Sequence, residues 1–248
     1  MHHLFHFRPG GFLQYFFSGQ VCKHRRYLPL RPPMQAPIEH HLNGQTFWLS
    51  AHRAIFWEQE KALILSDLHF GKTGHFRKAG IPVPQSVYKE DLQRLLELVQ
   101  YFKPAQIIAV GDLFHSHQNL ELEFFKRWRN DFSYLRFILV KGNHDILKSA
   151  WYKDADIEVT EELTIGSIRF THQHCEGEKD TFSFCGHIHP GIIIKGMGKQ
   201  TLRFPCFYFT KDHCTLPAFS RFTGLASIKP QGKDVVYAIV EKTVIKLQ

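Results

Sequence analysis

Metal-type side chains recur at the ends of apolar runs in this sequence, and no other feature restricts the fold as much. Asp67-Leu68-His69 follows Ala62 to Leu65, Gly111-Asp112 follows Ile107 to Val110, and Gly142-Asn143-His144-Asp145 follows Phe137 to Val140. Each run reads as a short strand. A fourth cluster, Gly186-His187-Ile188-His189, closes another apolar run further along. Carboxylate, amide and imidazole groups delivered at successive strand ends are how an α/β scaffold assembles a two-metal hydrolytic centre.

The residue types match the chemistry such a centre performs. A phosphate ester resists water because its own oxygens repel the nucleophile, so hydrolysis needs concentrated positive charge and a hydroxide available at neutral pH. Two divalent ions about 3.5–4 Å apart supply both, clamping phosphate oxygens and lowering the pKa of a shared water. Asp and Asn oxygens suit manganese or magnesium, whereas imidazole shifts the preference towards manganese, iron or zinc. The mixture here suits a transition-metal pair, with manganese expected first.

Taken singly, these pieces are weak. Asp-X-His or Gly-Asp after a strand is often a turn or a helix cap. Gly-Asn-His-Asp and Gly-His-X-His are sharper, because a structural turn has no need of those histidines. All of them in order, together with a histidine in the stretch Ile168-Arg169-Phe170-Thr171-His172-Gln173-His174, resemble the calcineurin-like metallophosphoesterase superfamily. Carried over by residue, that resemblance implies that Asp67, His69 and His189 hold one metal. Asn143, His172 and His187 hold the other, and Asp112 bridges the two. It places His144 near the phosphate, as hydrogen-bond donor or general acid, with Asp145 accepting from its other ring nitrogen. Two positions stay open. His174 competes with His172 for one ligand place, and His115 stands where many relatives carry a second Asp. His115 and His117 face the cleft or are solvated loop histidines.

A narrower resemblance lies around the ligands. Asp67-Leu68-His69-Phe70-Gly71-Lys72-Thr73-Gly74-His75-Phe76-Arg77-Lys78, Gly111-Asp112-Leu113-Phe114-His115-Ser116, Arg203-Phe204-Pro205-Cys206-Phe207 and Leu216-Pro217-Ala218-Phe219-Ser220-Arg221 are similar to the bacterial ligase-associated DNA damage response endonucleases, the PdeM group. The likeness runs from about Leu42 to the end. It implies a DNA endonuclease or phosphodiesterase of repair, working by attack of a metal-activated hydroxide, with a DNA ligase and processing proteins as functional partners. Lys72 and Arg77, just past the first cluster, are the residues expected to hold DNA phosphates. Arg127 and Arg129 read as a solvated helix face. The alternative function is a phosphatase or phosphodiesterase acting on a protein, nucleotide or lipid intermediate.

Composition agrees with one globular domain. The chain has 248 residues, 44% of them hydrophobic, enough for one sizeable core. Its five cysteines include no Cys-X-X-Cys pair, which suggests neither a disulfide framework nor a cysteine zinc site, and fits a reduced cytoplasmic setting. Cys185 reads as a buried small hydrophobe. No run is long enough to span a membrane. Residues 1–33 differ from the rest: Arg8, Lys23, Arg25, Arg26 and Arg31 meet no acid there, supplying five of the +8 net charges. This basic extension is expected to be disordered or to precede the true start at Met34. A transit peptide and a nucleic-acid arm are the other readings. Residues 34–248 are then a single metallophosphoesterase domain.

Within it, Phe47 to Leu49 and Ala54 to Trp57 read as a hairpin. Helices are expected over Ser86 to Phe102, stopped by Pro104, and over Leu120 to Phe132. Past His189 the pattern turns to short strands: Gly191 to Lys195, Leu202 to Phe209, Thr215 to Phe219, Val235 to Val240 and Thr243 to Leu247. The fold expected is α/β (α+β): two mixed sheets face to face with helices outside, the four-layer αββα sandwich of the resembled superfamily.

Overall fold

A computed structural model describes residues 34–72, 86–115, 120–174, 181–196 and 200–247. The basic extension, Arg77 and His117 lie outside the described residues. Strands β1 (Ile38–Leu42), β2 (Gln45–Ser50), β3 (Ala54–Trp57) and β4 (Ala62–Leu65) form an antiparallel meander. The chain then passes through helix α1 (Ser86–Phe102) to β5 (Gln106–Val110), through α2 (Leu120–Asp131) to β6 (Arg136–Val140), and through α3 (Ser149–Asp154) to β7 (Glu158–Thr160). Strands β4 to β7 run parallel in sequence order, so the four meet one edge of the first sheet with their carboxyl ends together. A parallel neighbour needs a crossover, and the helices provide it.

The second sheet begins with β8 (Leu163–Ile165), β9 (Ile168–Phe170), β10 (Phe182–Cys185) and β11 (Pro190–Lys195). It continues with β12 (Thr201–Phe209), β13 (His213–Thr215), β14 (Ala226–Ser227), β15 (Val235–Val240) and β16 (Thr243–Lys246). Its order is β14-β11-β12-β13-β10-β9-β8, with β15 on β12 and β16 on β15. Three neighbours, β9, β10 and β13, are parallel to one another.

Two separate cores explain why β4, β5 and β6 are apolar throughout. Leu63, Leu65, Ile107, Ala109, Phe137 and Leu139 face the helices, where Leu95, Leu98, Leu122, Phe125 and Tyr152 meet them. The alternate residues Ala62, Ile64, Ile108, Val110, Ile138 and Val140 face the second sheet and its Phe170, Phe182, Phe184, Phe207 and Phe209. Strands covered on both faces lose the polar alternation of a half-exposed sheet, and each leucine, isoleucine, valine or phenylalanine among these side chains contributes about 1.5–3 kcal/mol on burial. The described helices all pack on the first sheet. None of the described residues places a helix on the outer face of the second, where the expected four-layer arrangement has one.

Two expectations are corrected. The strand expected at Thr215 to Phe219 ends at Thr215, because Pro217 has no N–H for a ladder; beyond it, Ala218 makes an isolated parallel bridge to Ser66 of the first sheet. Arg129 is buried rather than solvated, and its guanidinium donates to the Phe132 and Asp156 carbonyls and to the Asp156 carboxylate at 2.6 Å.

Candidate metal centre

The loops that follow β4 and β5 keep the pairing of their strands. Asp67 N–H donates to the Gly111 carbonyl (3.1 Å), His69 N–H to that of Asp112 (2.9 Å), Phe70 N–H to that of Leu113 (2.9 Å), and His115 N–H to that of Phe70 (2.9 Å). From the other side the 218–220 segment clamps the same loop, Phe219 N–H donating to the Ser66 carbonyl and Ser220 N–H to that of Asp67. Arg53 and Arg94 hold that clamp, Arg53 through the Ala218 and Ser220 carbonyls and Arg94 through that of Phe219.

Packing so many ligands at one edge strains the backbone. Asp67, His69, Asp112, His187 and His189 all take positive φ, between 49° and 67°, a region that costs a residue with a β-carbon about 1–3 kcal/mol. Where a side chain leans on the neighbouring backbone, glycine is required. A Cβ on Gly111 would lie 1.9 Å from His172 Nδ1, one on Gly142 2.3 Å from Asp112 Oδ1, and one on Gly186 2.6 Å from Asp67 Oδ2. The glycines that begin three of the sequence clusters are therefore the space in which the ligands sit.

Two trios result. Asp67, His69 and His189 converge so that His69 Nε2 and His189 Nε2 are 3.3 Å apart and Asp67 Oδ1 is 3.2 Å from His189 Nε2. Asp112, His172 and His187 form the second, with His172 Nε2 3.3 Å from His187 Nδ1 and 3.4 Å from Asp112 Oδ2. Separations of this size are those of donors lying about 2.0–2.1 Å from one shared ion. Asp67 Oδ1 is buried without a hydrogen-bond donor, a costly condition that a cation relieves. The donor set therefore fits divalent metals. Supporting contacts fix Asp67 and His172: Asp67 Oδ2 accepts from His187 N–H (3.0 Å) and lies 2.6 Å from the Ser66 hydroxyl, while His172 Nδ1 can donate to the Val110 carbonyl at 3.2 Å, leaving Nε2 for a metal.

The remaining expected residues fall into place around the trios. His172 joins the second trio, and His174 turns away to stack on His213, ring centroids 3.8 Å apart. Asn143 and His144 are exposed on the loop after β6, and His144 N–H donates to Asp112 Oδ1 (2.9 Å). The His144 ring stands 4.3 Å from that of His115 and 5.8 Å from that of His69. His115 thus faces the centre. Asp145 does not carry out its expected task of orienting the His144 ring. It is buried, and its two oxygens accept from Gly142 N–H and Phe114 N–H, tying the loop after β6 to the loop after β5.

The calcineurin-like phosphoesterase family matches residues 61–210. The chain belongs to that family. The crystal structure of Pseudomonas putida nuclease MPE aligns at 29% identity, covering 85% of this chain and 98% of that one with a TM-score of 0.72. The phosphoesterase YfcE from E. coli aligns at 15% identity over 74% of this chain and 96% of that one, with a TM-score of 0.40, too distant to carry an argument. No curated protein sequence gives a significant match.

Electrostatics in this phosphoesterase act differently on the groups of the two trios. Burial pushes His69 down to about 3 against the pull of Asp67, so the ring is neutral at physiological pH. Asp112 is held well below the usual carboxylate range: burial opposes this, and hydrogen bonding and charge from His172 and the His144 N–H overcome it. His172 is raised, burial again opposing and Asp112 prevailing, so a proton and a metal compete for it. Burial lifts Asp145 to about 6 against its two backbone donors. The Lys72 ammonium is lowered by burial and opposed by Asp112 and Asp67, which sets it within electrostatic reach of both trios. Sequence reasoning missed the 218–220 clamp and Ser66. The clamp's only signal was the run Ala218-Phe219-Ser220 itself, which carries no metal-type side chain.

Proposed function

We propose that this phosphoesterase is a nuclease that hydrolyses DNA phosphodiester bonds. The observation that carries the reading is the likeness to nuclease MPE over nearly that enzyme's whole length, joined to the two converging trios. Asp67, His69 and His189 would hold one divalent ion; Asp112, His172 and His187, with Asn143, the other. Two such ions supply Lewis acidity towards the phosphoryl oxygens and a water acidic enough to ionise near neutral pH.

The chain's own residues do the rest. His144, exposed beside the centre and anchored through its N–H to Asp112, is placed to donate a proton to the departing alkoxide. His115, against the His144 ring, shares that side of the opening. Asp145 holds the two loops together and acts by position. Lys72 contributes positive charge where the phosphate docks, and Arg77 is the second residue proposed to hold DNA phosphates. The mixed nitrogen and oxygen donors favour manganese. A role in DNA repair beside a ligase and processing proteins rests on the sequence resemblance. A reducing cytoplasmic setting rests on the cysteines, of which Cys185, Cys206 and Cys214 are free thiols. No described helix is long and apolar enough to cross a membrane.

The deciding assay offers single-stranded, duplex and gapped DNA beside a generic phosphodiester and a phosphomonoester. DNA cleavage with metal dependence is expected. Turnover of the monoester with DNA left intact would replace the nuclease with a phosphatase. Arg77→Ala should flatten the salt dependence of DNA binding by up to about 0.7–0.9 log unit for one lost phosphate contact, sparing the small diester. Lys72→Ala should slow both substrates.

A further inference from the structure

A third convergence of metal-type groups lies away from the two trios. His174, Cys185 and His213 bring one ligand atom each to within 4.8 Å of one another. They come from three adjacent parallel strands: His174 follows β9, Cys185 ends β10, and His213 begins β13, where Ser183 pairs with His213 and Cys185 with Thr215. Phe182 and Phe184 point into the core between the sheets, so by strand alternation Cys185 points to the opposite face. It is nevertheless fully buried.

The surroundings are those of a metal site rather than of an inert thiol. Asp212 Oδ1 lies 3.0 Å from His213 Nδ1, the carboxylate-to-imidazole contact that directs the other ring nitrogen at a metal. Asp212 Oδ2 is 3.9 Å from His174 Nε2. Cys185 Sγ is 3.6 Å from both the Thr215 hydroxyl and the Cys214 carbonyl. The thiol can donate to the carbonyl, and a thiolate would accept from the hydroxyl. We infer that Cys185, His174 and His213 form a third metal site for one zinc-type ion, with Asp212 orienting His213. Thiolate and imidazole together select zinc, cobalt or copper over magnesium or calcium. On binding, the S–H bond breaks, its proton passes to solvent, and a sulfur–metal bond forms with no change of oxidation state. The cysteine spacing gave no hint of this, because the three ligands share no local motif and meet only through strand pairing.

The place explains its use. His174 lies two residues past His172 and Cys185 two before His187, so an ion there would brace β9 and β10 just behind two ligands of the catalytic centre.

Full-length protein produced in cobalt-supplemented medium provides the test, because only a thiolate ligand gives a near-ultraviolet sulfur-to-cobalt charge-transfer band. The two catalytic trios contain no sulfur. The wild-type protein should show the band, Asp67→Asn should keep it, and Cys185→Ser should abolish it. His213→Ala, at a partly exposed position, should weaken cobalt retention there by removing one of the three ligands. Absence of the band from the folded wild-type protein overturns the site. So does its survival in Cys185→Ser, or its loss from Cys175→Ser instead.

Discussion

The two catalytic trios and the Cys185 trio use similar donors on different backbones. Five of the six residues in the Asp67 and Asp112 trios sit at positive φ and three glycines make room for them. His174, Cys185 and His213 have ordinary φ values, and Cys185 is a regular strand residue paired with Thr215. Catalytic ligands must leave positions open to substrate, so they are gathered on loops from several strands at the cost of strain. A site that merely braces can be read straight off a ladder. Strain here marks the place where a ligand must do more than bind.

That contrast is most easily broken at Asp112, which touches the second trio through Oδ2 and the His144 backbone through Oδ1. Asp112→Asn should remove both metal content and detectable turnover, as elemental analysis and a phosphodiester assay would show; retained metal with normal turnover would make Asp112 an ordinary terminal contact. His144→Ala should slow turnover by about 10²–10⁴-fold with both catalytic metals retained. If metal leaves with the ring, His144 is a ligand and not a proton donor. Gly111→Ala tests the cost of crowding. Its added carbon would strike His172, and turnover should fall by about 10–100-fold, with a lower melting temperature from a strained left-handed residue. An unaltered rate would show that the second trio has slack that the geometry denies. The smallest effect should come from outside all three sites: a chain starting at Met34, whose sulfur receives the Ser50 hydroxyl at 3.7 Å, should melt and hydrolyse a small diester as the full chain does.

Much of the first sheet was legible because its strands are buried on both faces and its helices carry a regular apolar stripe. Ala62–Leu65 and Ser86–Phe102 agree with the expected bounds. The second sheet was harder. β8 is three residues long, too short for alternation to show, and β13 lies two residues before its expected start because His213 and Cys214 look like loop residues beside Asp212. Seven candidate ligands, Asn143 among them, were recognisable by type, and strand ends told which loops bore most of them. Pairing with Asp112 could not be separated from bridging, and the Asp145 contacts were hidden because they are to backbone. His172 and His174 differ by only two residues in where each lies after β9, yet His172 joins Asp112 and His187 while His174 stacks on His213.

Asp67 has one further consequence. Its N–H is held by the loop after β5, its carbonyl by Ser220 from the chain that returns from the second sheet, and its carboxylate by His187 N–H. A single residue is therefore the hinge pin on which the two sheets close at this edge. Whatever occupies the first trio also reports on the seam, and loading the centre should raise the melting temperature in proportion to the logarithm of free metal. Thermal denaturation then becomes a titration, readable before any substrate is known.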